Sequence, residues 1–137
     1  MEQFSLQIVT PDGVSFSGGA ERLVVRTIEG DVCILANHVQ YLTALGTGTA
    51  RVTVDGETRR AACAGGMLAV TRDSGGTSSV RLVATTFEWA EDIDAARAQR
   101  AKERAEELLQ HAHDRHEQSM AQARLNRALT RLGAAGK

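Results

Sequence analysis

Four arginines in the last third of the chain are spaced so that their guanidinium groups could act together. Arg97 and Arg104 are seven residues apart and Arg127 and Arg131 are four residues apart, so on helices each pair projects from one face. Like charges that are held together repel, and a polyphosphate between the two pairs would neutralise them and clamp the helices that carry them. The alternative is that the arginines form exposed ion pairs with nearby glutamates, each contributing about 0.2 to 1 kcal/mol.

The other chemically active residues do not form a catalytic set. Asp31 and His38 could act as an acid and a base, but the sole candidate nucleophile near them is Cys33. Cys33 and Cys63 both lie among apolar residues, where free cysteines are usually buried, so we expect two buried thiols. The chain has neither a glycine-rich phosphate loop ending in Lys-Ser or Lys-Thr nor a nucleophile elbow. We therefore expect no enzymatic activity, with a hydrolase that uses Cys33 as an alternative.

Three histidines lie close together at positions 111, 113 and 116. They straddle a predicted helix start, and Asp114 is the one further metal ligand beside them. This arrangement is typical of a polar connector, so the sequence predicts no metal site.

Glycine divides the chain into two parts that must position these residues. Eleven of the 13 glycines lie between Gly13 and Gly76, and the next is Gly133. Residues 1–88 alternate apolar and polar side chains in short runs that are separated by turn signals. The pair Asp55-Gly56 is the clearest two-residue hairpin turn, because both positions must accept a positive φ. This part is therefore predicted to be an antiparallel β-sandwich or barrel.

Further glycine-rich turns are predicted between the strands of this domain. They fall at Pro11-Asp12-Gly13, Gly18-Gly19, Glu29-Gly30, Gly46-Thr47-Gly48, Gly65-Gly66 and Gly75-Gly76.

Residues 89–137 are predicted to form an antiparallel hairpin of two helices. Asp92 is the expected N-cap of the first helix, which should run to about Gln110. After a short connector, Asp114 and a glutamate three residues later form a capping box for a second helix, which should end at Gly133. Alanine outnumbers larger apolar residues along both helices, so the seam should pack closely but weakly, and the hairpin could open without its helices melting.

Composition argues against two classes of partner. The formal charge is −1 and the chain has three Phe, one Tyr and one Trp, which leaves little basic or aromatic surface for nucleic acid. The longest apolar run, Val32 to Ala36, is far shorter than the about 20 residues that cross a bilayer, so we expect no direct membrane insertion. The N-terminus has no signal-peptide pattern, which predicts a mature start in the cytoplasm.

Several short segments occur in a specific order along nearly the whole chain. They are Val9-Thr10-Pro11-Asp12-Gly13, Phe16-Ser17-Gly18, Glu29-Gly30-Asp31 with Ile34-Leu35 and His38, Leu42-Thr43-Ala44-Leu45, Gly65-Gly66, Leu82-Val83-Ala84, and Ile93-Asp94-Ala95-Ala96-Arg97-Ala98. This order resembles that of the epsilon subunits of bacterial ATP synthase. Three features depart from the family pattern: Ala36-Asn37 stands where Pro-Gly is usual, Cys33 stands where glycine is usual, and the turn from Asp73 to Ser79 is long.

The resemblance implies a non-catalytic central-stalk subunit of the rotor. Its β domain would link the gamma subunit to the c-ring of a proton-translocating ATP synthase. Its hairpin would permit turnover when folded and obstruct ATP hydrolysis when extended toward the catalytic alpha and beta subunits. The subunit would then be peripheral, at the cytoplasmic face of the bacterial cell membrane.

The resemblance also implies two sets of contact residues. A loop containing Asp31 and His38 would face the c-ring. No cofactor would be required, but regulatory ATP would bind at Glu88, Ile93, Asp94, Arg97, Ala98, Arg104, Arg127 and Arg131. The alternative to a rotor subunit is a ligand-binding β domain with a helical dimerisation tail, which predicts a stable homodimer.

Overall fold

Eight strands precede two helices in this computed structural model, which describes residues 2–72 and 75–136. The strands are β1 (Phe4–Thr10), β2 (Gly13–Ala20), β3 (Arg22–Thr27), β4 (Gly30–Leu35), β5 (Tyr41–Ala44), β6 (Thr47–Val54), β7 (Glu57–Arg72) and β8 (Ser78–Trp89). A short 3-10 helix at Ala90–Asp92 leads to α1 (Ala95–Gln110) and α2 (Arg115–Gly136). The predicted β-sandwich followed by a helical hairpin is confirmed.

The strands form one continuous hydrogen-bonded sheet that folds into a sandwich. Its order is β2-β1-β8-β7-β6-β3-β4, and β5 pairs with β7. Most neighbours are antiparallel, as the turn-rich sequence predicts, but β1 and β8 run parallel, with Leu6 opposite Val80 and Ile8 opposite Leu82. The first and last strands of the domain therefore lie side by side.

The core follows from the alternation that the sequence shows. Phe4, Leu6 and Ile8 of β1 are buried, and so are Val80 and Leu82 of β8. Because successive side chains of a strand point to opposite faces, each run contributes every second residue to the interior. One contiguous apolar cluster fills the space between the layers.

A double glycine bends β7 so that the strand pairs with β6 before the bend and with β5 after it. Gly65 and Gly66 have φ values of +67° and +110°, and they lie between the segment that pairs with β6 and the segment that pairs with β5. A Cβ on Gly66 would lie 1.9 Å from the carbonyl oxygen of Val83, so only glycine fits there. The predicted turn at this pair is wrong, because the chain bends within one strand instead of reversing.

The other turn predictions have mixed outcomes. Asp55 (φ +51°) and Gly56 (φ +81°) form the predicted tight turn between β6 and β7. The pair Gly18-Gly19 lies inside β2 and not in a turn, and a Cβ on Gly19 would meet the side chain of Gln3. The glycine pair therefore marks a place where β2 passes close to the side chain of Gln3 and not a chain reversal.

The first helix is capped two residues later than the sequence predicted. Asp94, not Asp92, is the N-cap of α1, and its Oδ1 accepts a 3.0 Å hydrogen bond from the backbone N–H of Arg97. Asp92 instead closes the short 3-10 helix. The end of α1 at Gln110 is confirmed.

The second helix begins as predicted but does not stop where expected. Asp114 Oδ1 accepts a 2.8 Å hydrogen bond from the N–H of Glu117, and Glu117 Oε2 accepts one from the N–H of His113. The helix then continues through Gly133 to Gly136, so the predicted end at Gly133 is wrong. Leu132 before Gly133 and two alanines after it are strong helix formers and favour continuation of the helix.

The seam between the helices is built from alanine. Ala98 and Ala105 of α1, and Ala121 and Ala128 of α2, are 3% exposed or less, and each pair is seven residues apart. Leu108 and Leu129, two of the larger apolar residues of the hairpin, remain nearly half exposed. Small side chains thus let the helices approach closely while burying little apolar surface.

Candidate functional site

A cleft opens where the hairpin meets the end of the sandwich. α2 packs on β6 and β7, and α1 makes its extensive contacts with α2. The N-terminal part of α1 and the end of β8 enclose a cavity of about 280 Å³. Its lining residues are Glu88, Asp92, Ile93, Asp94, Arg97, Ala98, Ala101, Arg104 and Arg131.

A second cavity continues along the helical seam. It measures about 310 Å³ and shares Ala101, Arg104 and Arg131 with the first. Its other lining residues are Ala105, Leu108, Arg124 and Arg127. We call the first cavity the junction chamber and the second the arginine chamber.

The structure brings all eight sequence-predicted ATP positions around these two chambers. Seven of them line the junction chamber, and Arg127 lines the arginine chamber. Sequence reasoning missed Arg124, although it precedes Arg127 by three residues and so shares its helix face. Asp92, expected as a cap, is a lining residue instead.

Charges in the cleft are only partly compensated. Arg131 Nε donates to Glu88 Oε1 over 3.0 Å, and both side chains are about one-third exposed. Within residues 2–72 and 75–136, no carboxylate lies within 4.0 Å of the guanidinium groups of Arg104, Arg124 or Arg127. Within the described residues, these three arginines therefore form none of the exposed pairs with nearby glutamates that the sequence left open, whereas Arg131 pairs with Glu88. The uncompensated charge makes the cleft suited to an anion.

The root of the hairpin is fixed by an arginine that contacts both sides of the junction. Arg59 of β7 lies over the ring of Trp89 at 3.7 Å from its centroid and forms an ion pair with Glu91. The hydrogen bond from Arg59 lowers the pKa of Glu91 below its usual range. The indole N–H of Trp89 donates to the carbonyl oxygen of Ser15 over 3.3 Å. The end of β8 is thus held to β2 and β7.

The structure separates the two residues expected on one ring-facing loop. Asp31 is the second residue of β4 and forms a 2.8 Å ion pair with Arg26, whereas His38 follows the end of that strand. From Asp31 to the last residue of β4 the strand rises roughly 14 Å, so the two side chains lie at opposite ends. His38 Nδ1 donates to the carbonyl oxygen of Val39, and its ring lies 5.9 Å from that of Tyr41.

The unusual pair before His38 keeps the shape of a tight turn. Asn37 has a φ of +67°, the left-handed conformation in which glycine is the common residue. Asparagine tolerates this conformation better than most residues, and its side chain donates to Glu2 over 2.8 Å. Replacement of Pro-Gly by Ala36-Asn37 therefore preserves the turn.

The two cysteines differ, and the expectation that both are buried is wrong for one of them. Cys63 is 2% exposed, and burial raises its pKa from 9.0 to about 12. Cys33 is exposed, because it lies on the outward-facing side of β4 opposite Val24. Asp31 and His38 lie at the two ends of its strand, so the three residues cannot act together on one substrate atom.

An exposed apolar row crosses one face of the sandwich. The register places Met67 opposite Val83, Val83 opposite Val9, and Val9 opposite Val14, so their side chains share that face. Met67, Val83 and Val14 are 44%, 45% and 61% exposed, and Leu42 on β5 is 67% exposed. Contiguous apolar surface of this kind is typical of a protein interface.

The described residues lack two features that would change the chemistry of the site. No three His, Cys, Asp or Glu side chains in ranges 2–72 and 75–136 converge so that they could hold a metal ion. Neither helix, as far as it is described, is long and apolar enough to cross a bilayer.

Comparison with protein families matches both parts of the chain. Residues 3–90 match the ATP synthase delta/epsilon chain beta-sandwich domain, and residues 91–136 match the long alpha-helix domain of the same chain. The ATP synthase epsilon chain of Ruminococcus albus is 36% identical over 137 residues, which is 100% of this chain and 99% of that protein. The epsilon chain of Caldicellulosiruptor bescii is 39% identical over 132 residues, covering 96% and 93% of the two chains.

Solved structures share the fold. A chain of the Euglena gracilis mitochondrial ATP synthase, in a structure of OSCP, F1 and the c-ring, matches with a TM-score of 0.83 and 23% identity. The match covers 98% of this chain and 82% of that one. A chain of the Tetrahymena thermophila mitochondrial ATP synthase, from its central stalk and c-ring, matches with a TM-score of 0.66 and 15% identity, covering 98% and 97%.

Proposed function

Because this chain belongs to the ATP synthase delta/epsilon chain family, as an epsilon subunit, we propose that it links the gamma subunit to the c-ring and regulates ATP hydrolysis through its hairpin. The observation that carries the proposal is the match of both domains, in order, to epsilon chains over their full length. Proteins of this family are central-stalk subunits and not catalytic ones. Its place in the cell would then be the cytoplasmic face of the bacterial membrane, as a peripheral part of the complex.

The gamma subunit is the proposed occupant of the exposed apolar row. A rotor subunit that transmits torque needs a firm attachment, and apolar burial supplies it at about 25 cal/mol per Å². Replacing Met67 and Val83 together by glutamate should abolish co-purification with gamma, since the new charges would be buried. As a control, the same double change at exposed Met120 and Leu129 on α2 should leave binding intact. Unchanged binding of the Met67/Val83 variant would refute this docking face.

The c-ring contact is proposed at the turn that joins β3 and β4. Ile28 in this turn is 70% exposed, and two acidic residues follow it: Glu29, and Asp31 with its ion pair to Arg26. A mixed apolar and acidic tip suits the polar loops of a ring, and His38 lies beyond the other end of β4. Asp31→Lys should weaken co-purification with the ring at low salt, while His38→Gln should not. The opposite ranking would assign the ring contact to His38.

The hairpin is the proposed regulator, and its contacts support two states. The hairpin is attached to the sandwich through the packing of α2 on β6 and β7 and through the Glu88–Arg131 ion pair, and the alanine seam joins its two helices. In the proposed inhibitory state the hairpin extends along gamma toward the catalytic subunits. A chain ending at residue 89 should therefore join the complex but fail to inhibit ATP hydrolysis.

ATP is the proposed ligand that favours the folded state. The cleft combines carboxylates, which can accept hydrogen bonds from a base or ribose, with arginines that can hold phosphates. A ligand that binds only the folded form, at 100 times its Kd, stabilises that form by about 2.7 kcal/mol. Hydrogen exchange between Asp92 and Leu132 should slow on ATP addition. Unchanged exchange would remove the nucleotide part of the proposal and leave the structural part standing.

A further inference from the structure

We propose that Arg124 extends the candidate nucleotide site into the arginine chamber. This chamber would bind an unbranched chain of phosphates whether or not a nucleoside is attached. The inference deepens the regulatory role proposed above. It rests on that role only for its effect on the hairpin. Binding of a phosphate chain can be measured without it.

The arginines of the arginine chamber lie on two facing helices. Arg124, Arg127 and Arg131 are three and four residues apart on α2, so they form one row along the helix. Arg104 lies on the facing helix, and all four line the same cavity of about 310 Å³. Rows of like charge at this spacing destabilise a helix, so they gain from an anion that bridges them.

The two chambers differ in the charges that line them. The junction chamber contains three carboxylates, those of Glu88, Asp92 and Asp94. The arginine chamber is lined by four arginines, two alanines and one leucine, with no carboxylate among its described lining residues. A compact dianion would find mixed charge in the first chamber, whereas a linear polyanion finds uniform positive charge in the second.

The position of Arg131 between the two chambers sets the orientation of a bound nucleotide. Arg131 lies on the border of both chambers, and its Nε is already bonded to Glu88. The base and ribose of a nucleotide would lie toward the carboxylates, and its phosphate chain would pass Arg131 toward Arg124. The chemistry that is recognised is therefore a chain of at least three phosphates, as in a nucleoside triphosphate or inorganic tripolyphosphate.

Calorimetric titration of the full chain with sodium tripolyphosphate, ATP and AMP tests the inference. We expect tripolyphosphate and ATP to bind the native chain, and Arg124→Gln to weaken both by about fivefold to tenfold. Binding of AMP should not change. Arg115→Gln is the matched control, because it removes the same charge from the exposed start of α2 outside both chambers. Equal helicity by circular dichroism shows that both variants are folded.

The outcomes separate this inference from the proposed nucleotide regulation. If tripolyphosphate does not bind, or if Arg124→Gln and Arg115→Gln weaken it equally, the chamber is refuted, even where ATP still binds through the junction chamber. If tripolyphosphate binds with the expected dependence on Arg124 and ATP binds no tighter, the chamber stands and recognition of the nucleoside fails.

Discussion

Replacing Ala128 by leucine tests whether the hairpin is held closed by close packing of small side chains. Ala128 is 1% exposed in the seam, so an added isopropyl group has no free space and forces the helices apart. Overpacking of this kind costs about 1 to 3 kcal/mol, which lowers the ratio of folded to open hairpin by about fivefold to 150-fold. Alanine and leucine are both strong helix formers, so the substitution itself should not lower the intrinsic helix propensity of α2.

Hydrogen exchange measured by mass spectrometry on the isolated chain reports this shift. A helix that loses its packing becomes marginal in water, so amides of residues 115–136 should exchange faster by about the same factor. Ala123→Leu is the control, because Ala123 is exposed on the same helix and should leave exchange unchanged. If Ala128→Leu exchanges at the native rate or more slowly, the seam tolerates the larger side chain and the reasoning about a weak, tight closure is wrong.

Three further predictions concern single positions. Gly66→Ala should prevent folding or lower the Tm by more than about 10 °C, because its Cβ would overlap the backbone carbonyl of Val83. A mild effect of Gly66→Ala would contradict this close approach of the two strands. Gly133→Ala in α2 should instead raise the free energy of unfolding by about 0.5 to 1 kcal/mol. At pH 8 iodoacetamide should modify Cys33 but not Cys63. Because the buried thiol of Cys63 has its pKa raised from 9.0 to about 12, the unfolded chain releases that proton first and stability should fall above about pH 9, a slope that Cys63→Ala removes. Asp114→Ala should destabilise the start of α2 by about 1 kcal/mol and speed exchange in its first turn, whereas Asp114→Asn should not; equal effects would exclude a capping role.

Local patterns of the sequence predicted most elements of the fold. Alternation fixed which residues of β1 and β8 are buried, and the positive φ required of Asp55 and Gly56 located a hairpin turn. The parallel pairing of β1 with β8 could not be predicted, since it joins residues more than 70 positions apart and no local pattern encodes it. Gly65 and Gly66 were recognised as special, but turn chemistry does not distinguish a reversal from a bend inside a long strand.

The family resemblance named eight residues of the candidate site but not Arg124, and it did not give the shape of the cleft. Spacing put arginines on common helix faces, and the structure assembles them into one cleft. The division into two chambers depends on how the helices cross, which the sequence does not show. Asp94 caps α1 in place of Asp92 because either aspartate can cap a helix and the 3-10 turn takes up Asp92, while Asp94 still lines the cleft as expected. Cys33 was misplaced because an apolar neighbourhood in the sequence does not reveal which side of a strand faces water.

The side-by-side arrangement of the first and last strands has a consequence for synthesis of the protein. β1 leaves the ribosome early, yet its parallel partner β8 ends only at Trp89, so the head cannot close until about two-thirds of the polypeptide has been translated. Contacts between such distant segments make folding slow, and one edge of β1 stays unpaired until β8 has been synthesised. The arginine-rich helical hairpin is synthesised after this point, when the sandwich on which it packs is already able to fold.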